Sequence, residues 1–97
     1  MSVTEAQPAG VAFAVEQAWQ LNPQVALRDE SFGALAYHYG NRRLVFLKAP
    51  ALVKVVETLG DFPSAAAAVA AHVPDAQRET YCKALSGLLA SDVIRAR

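Results

Sequence analysis

The segment from Gly33 to Leu47 constrains the fold more tightly than any other part of the chain. Gly33 to Tyr39 reads Gly-Ala-Leu-Ala-Tyr-His-Tyr. On a strand this puts Leu35, Tyr37 and Tyr39 on one face and Ala34, Ala36 and His38 on the other. Gly40-Asn41 follows, and both residue types tolerate positive φ, which predicts a two-residue hairpin turn. Arg43 to Leu47 (Arg-Leu-Val-Phe-Leu) is the return strand. A third short strand precedes the hairpin, with Val25 and Leu27 alternating with Ala26 and Arg28, and the polar run Asp29-Glu30-Ser31 connects the two.

Helical signals begin after the hairpin. Pro50 suits a first helical turn, where its missing N–H costs nothing. Leu52, Val53, Val56 and Leu59 recur at helical spacing until Gly60 ends the run. A second helix starts at Pro63-Ser64 and runs through an alanine-rich stretch to Pro74, its small face allowing a neighbouring backbone to approach closely. Asp75 is the expected cap of a third helix carrying Tyr81, Ala84, Leu85, Leu88 and Leu89. Val93 and Ile94 are expected to fold back onto the sheet or core. The predicted fold class is α+β: a three-stranded antiparallel sheet followed by three helices, like a winged helix-turn-helix with the sheet placed first. Residues 1–17 read as a flexible or partly ordered N-terminal arm and 18–97 as one domain, with Trp19 as the packing anchor of the arm.

Composition narrows the function. Hydrophobic residues make up 54% of the 97 and charged ones 19%, enough for a packed core and against disorder. Nine basic and nine acidic side chains cancel. A nucleic-acid binder draws much of its affinity from phosphate neutralisation, and Arg42-Arg43 with Lys48 and Lys54 is a thin basic patch for a duplex. The single cysteine, Cys82, points to a reducing compartment. No apolar run approaches the ~18 residues of a membrane span, and the N-terminus lacks a secretory signal, so the expected location is cytoplasmic. His38, His72 and Cys82 are the obvious nucleophile or metal candidates, but none has HxxxH or CxxC spacing. Asp29 and Glu30 are adjacent and would face opposite ways on a strand. No catalytic constellation is expected.

Three stretches carry a family resemblance: Trp19-Gln-Leu-Asn-Pro-Gln-Val-Ala-Leu-Arg28, Phe32-Gly-Ala-Leu-Ala-Tyr-His-Tyr-Gly40 and Arg43-Leu-Val-Phe-Leu-Lys48. Together with the ending Leu88-Leu89-Ala90-Ser91-Asp92-Val93-Ile94, they resemble the MftB family of mycofactocin-biosynthesis chaperones, relatives of the PqqD chaperone of pyrroloquinoline-quinone biosynthesis. The wider PqqD-like pattern has glycine before the final apolar pair, where Asp92 stands here. The resemblance implies a PqqD-like peptide-recognition domain that captures the leader of a ribosomally made precursor peptide. It also implies delivery to a radical S-adenosylmethionine maturase, with no cofactor of the chaperone's own.

In that family the leader adds as an extra strand beside the third strand and lies against the third helix. The residues here suit such a mechanism, because an edge strand over Arg43, Leu44, Val45, Phe46 and Leu47 would offer unpaired backbone groups. Tyr81, Ala84, Leu85 and Leu88 fall on one helical stripe and form the expected second wall. Alternation lets either Val45 or the pair Leu44 and Phe46 face the groove, never all three. Arg42, Arg43 and Lys48 are placed to pair with acidic leader residues, speeding encounter more than tightening the complex. Plainer readings exist for the same residues: Leu44, Phe46, Leu85 and Leu88 as core, and the arginines as a solvated hairpin end. Two other functions are a structural module that forms a homodimer through the same edge and a winged-helix DNA-binding regulator.

Overall fold

The computed structural model describes residues 13–97. Three strands, β2 (Val25–Glu30), β3 (Gly33–His38) and β4 (Leu44–Leu47), form an antiparallel sheet in the order β2-β3-β4. Val25 sits opposite His38 and Leu35 opposite Phe46 in its registers. Three helices follow: α1 (Pro50–Thr58), α2 (Ala65–His72) and α3 (Arg78–Ala90).

The fold class is therefore α+β with three helices, but the expectation of one sheet is corrected. A second antiparallel sheet pairs β1 (Trp19–Leu21) with β5 (Ile94–Ala96), joining the two ends of the described chain. These strands are three residues each, too short for a period-two pattern to show in sequence.

The sheet packs its small face inward. Ala34 and Ala36 are buried beside Val25 and Leu47, against α1 with Leu52, Val53, Val55 and Val56. Alanine at those positions lets the helix sit close, and the larger Leu35, Tyr37 and Tyr39 turn outward as a consequence of period two. Ala65, Ala68 and Val69 of α2 with Leu85 and Leu88 of α3 complete the core.

Helix ends follow the sequence signals in part. Ser64 caps α2 through its hydroxyl, which accepts from Ala67 N at 3.1 Å. Ala65 N and Ala66 N donate to the carbonyls of Gln17 and Val15, satisfying further donors of that first turn. Asp75 instead opens a 3₁₀ turn (Asp75–Gln77) ahead of α3, whose own N-cap, Gln77, makes no side-chain cap bond. Asp75 lies 3.2 Å from the Arg78 guanidinium. Of the expected arm, residues 1–12 lie outside the described residues. Phe13 stacks on Trp19 at 5.3 Å, and the buried Trp19 indole donates to Ala14 O at 2.8 Å.

The hairpin turn also differs from its expected form. The loop runs from Tyr39 to Arg43 between β3 and β4, closed by Arg42 N to His38 O at 2.7 Å and His38 N to Arg43 O at 3.0 Å. The positive φ falls on Arg42, at 63°. Gly40 serves a different need: a Cβ there would stand 2.8 Å from the His38 ring and 2.9 Å from Gln24 Oε1. The ring occupies that space because its Nδ1 accepts from Gly40 N at 2.9 Å and Asn41 N at 3.1 Å.

Candidate functional site

Among the described residues the sheet has two free margins, and their chemistry differs. The β2 margin carries Arg28, Asp29 and Glu30, charges of the kind that blunt an edge against pairing. The β4 margin reads Leu-Val-Phe-Leu and has no strand partner on its outer side among the described residues. His38 and Arg43 form a hydrogen-bonded pair across the sheet. Alternation in an antiparallel ladder then commits the backbone groups of Val45 and Leu47 to β3 and points those of Leu44 and Phe46 outward.

Beside this margin lies an apolar cleft of about 190 Å³, walled by Lys48, Ala49 and Leu52 on one side and by Thr80, Tyr81 and Ala84 of α3 on the other. It sits where β4 gives way to α1. Tyr81 and Ala84 line this cleft. Leu85 is wholly buried and Leu88 nearly so, both in the core behind the cleft.

The strand residues divide by face. Val45 and Leu47 point to the helical side, Val45 half-buried and Leu47 in the core. Leu44 and Phe46 stand on the opposite, solvent-facing side, and neither is core. Arg42 and Arg43 are exposed at the hairpin end, and Lys48 is exposed at the other end of β4. None of these three cations has an ion-pair partner among the described residues. Sequence reasoning omitted Ala49, Leu52 and Thr80 from the cleft. Leu52 carried a legible signal as the first apolar residue of α1, but the approach of α3 to it is not encoded locally.

Chemistry-bearing side chains are few and already engaged. His38 Nδ1 accepts two backbone N–H groups, which leaves the ring proton on Nε2, 2.8 Å from Asp92 Oδ2. Buried Asn22 donates to Asp92 O at 2.9 Å and Oδ2 at 3.1 Å. His72 Nε2 lies 3.1 Å from the Thr58 hydroxyl. Burial, reinforced by the nearby Glu79 carboxylate, raises the Cys82 thiol above its ordinary pKa, opposite to what an activated nucleophile requires. No group of three or more His, Cys, Asp or Glu among the described residues is arranged to hold a metal ion. No helix among them is long and apolar enough to cross a membrane.

A small α+β domain with an uncharged sheet margin that no described strand covers, beside an apolar cleft, is of the class whose edges suit polypeptide binding. The chain belongs to the peptide chaperone MftB family, whose profile matches residues 18–95. It is 45% identical to the peptide chaperone MftB of Mycobacterium tuberculosis strain H37Rv over 84% of this chain and 76% of that protein. The MftB chaperone of Mycolicibacterium smegmatis is 45% identical over 87% of this chain and 83% of its own length. The Mycobacterium ulcerans protein of the same name is 44% identical over 86% and 77% respectively. No solved structure matches the chain significantly.

Proposed function

We propose that this chain is a cytoplasmic, non-catalytic chaperone that binds the leader of the mycofactocin precursor peptide and presents it to a radical S-adenosylmethionine maturase. Family membership supports the chaperone role. The observation that carries the binding mode is the bare β4 margin next to the α3 cleft. We read the arrangement as winged-helix-like, with residues 18–97 forming the recognition domain and 1–17 an arm.

The leader pairs with the outward N–H and C=O groups of Leu44 and Phe46. Each bond contributes about 0.5–1.5 kcal/mol net, against at least ~4 kcal/mol for lost freedom on association. Backbone pairing therefore fixes register, and a leader side chain seated against Leu52, Tyr81 and Ala84 supplies the rest at about 25 cal/mol per Å². Val45 lines the same side of the strand, while Arg42, Arg43 and Lys48 attract acidic leader residues.

Comparing Leu44→Pro with Leu44→Ala tests strand addition. Proline removes an outward N–H without touching a bond to β3, a place where sheets tolerate it. Calorimetric titration with the precursor peptide should show the proline variant binding about tenfold more weakly than the alanine variant. Equal affinities for folded forms of both would refute pairing at this margin.

A further inference from the structure

The face of the sheet turned away from the helices carries an aromatic and aliphatic patch that the peptide site does not account for. Phe32 is 40% exposed, Tyr39 61%, Leu44 57% and Phe46 59%, with half-buried Leu35 and Tyr37 between them. Phe32 meets Phe46 edge-on at 5.7 Å, and Tyr37 meets Tyr39 at 5.1 Å. Phe32, Phe46 and Lys48 enclose a hollow on this face. A strand added at β4 brings alternate side chains over Leu44 and Phe46. Strands are about 4.8 Å apart, so Leu35 and Tyr37 on β3 lie two spacings from the added chain, and Tyr39 continues their row. One extended peptide leaves them bare.

Charge and area identify what covers them. Cations bracket the patch, with Arg42 and Arg43 at one end of β4 and Lys48 at the other, all without ion-pair partners among the described residues. The acid on this face, Glu30, is held by Arg28 at 3.3 Å. A second copy docking face to face would set like charges against each other. The exposed parts of Phe32 and Tyr39, the two large side chains outside the strand that the peptide pairs with, amount to on the order of 200 Å², about a quarter of what each partner contributes to a standard stable interface. Such a face suits reversible docking to a different folded protein whose apolar patch has an acidic rim.

We infer that the outer face of the three-stranded sheet docks such a protein, and that it does so while the peptide occupies the β4 margin, so that both partners are held side by side. The choice of probe rests on the reading above, in which the folded partner is the maturase. Tyr39→Glu and Phe32→Glu each place a carboxylate in the patch; Tyr39 packs on Tyr37, clear of the residues assigned to the peptide, whereas Phe32 packs on Phe46, and Tyr39→Phe is the conservative control.

The full chain is titrated against purified maturase and, separately, against precursor peptide, with its mass followed by sedimentation. Each glutamate variant should lower maturase affinity at least about tenfold. In Tyr39→Glu peptide affinity should stay within about twofold, and Tyr39→Phe should bind as wild type. Maturase binding should also weaken with salt.

Maturase affinity unchanged in both glutamate variants, or none in the wild type, would overturn the inference. So would equal loss of peptide binding in Tyr39→Glu, which would make the peptide the occupant, or a wild-type dimer that the variants dissociate. Failure of the wild type to take up peptide would instead defeat the chaperone reading, with the maturase titration still deciding the patch.

Discussion

Asp92 shows how one residue can depart from a family pattern and keep its geometry. α3 ends in a Schellman motif, with Val93 N donating to Leu88 O at 2.8 Å and Asp92 N to Leu89 O at 3.0 Å. The motif places Asp92 at φ 62°, a conformation that favours glycine by about 1–2 kcal/mol over most L-residues. Its carboxylate offsets the strain by meeting the His38 Nε2 proton and the Asn22 amide. The same His38 ring fixes the β3–β4 loop through Gly40 and Asn41, so Asp92 ties the end of α3 to the hairpin beside the peptide margin. Asp92→Gly keeps the turn and loses the bonds, whereas Asp92→Ala loses both. Urea unfolding should rank wild type above Asp92→Gly by about 1 kcal/mol, and Asp92→Gly above Asp92→Ala by a similar step. A glycine variant more stable than wild type would show that the carboxylate's bonds are worth less than the left-handed strain they are set against.

At the scale of elements, β4 and α3 each divide their residues between surface and core, and substitutions should separate the two roles. Leu85 and Tyr81 share a helical stripe, but Leu85 is fully buried and Tyr81 opens onto the cleft. Leu85→Ala should cost about 2–5 kcal/mol of folding stability, making it a test of the core rather than of the groove. Tyr81→Ala should leave the melting transition nearly in place and weaken peptide binding by about tenfold at every salt concentration. Arg43→Glu should weaken binding most at low salt and little at high salt, since exposed charges are screened. Unchanged peptide affinity in Tyr81→Ala and Arg43→Glu alike would move the binding site elsewhere. The alternation that assigns these roles was legible in β3 and β4 from sequence. Which face turned inward was not, because both faces of the strand carry apolar residues, and the close approach of α1 selects the smaller pair, Ala34 and Ala36.

For the whole molecule, small size limits stability, since a domain of this length buries only about 60–65% of its unfolded surface. A ligand bound by the folded state alone adds RT ln(1 + [L]/Kd), about 2.7 kcal/mol at a hundredfold excess over Kd. Saturating precursor peptide should therefore raise the melting temperature by several degrees, and a scrambled leader should not. Equal melting temperatures with both peptides would mean that sequence-specific recognition is absent.

The chain's sequence by itself determined the three strands of the main sheet, the start of α1 at Pro50, the Ser64 cap of α2 and the apolar stripe of α3. Each of these follows from period, capping or proline geometry within a few residues. The tertiary structure decided the rest. It pairs Trp19–Leu21 with Ile94–Ala96, assigns Leu44 and Phe46 to the outer face, and brings Leu52 up to Tyr81. These are encounters between distant segments, settled by which surfaces fit once the elements exist, and no local pattern records them.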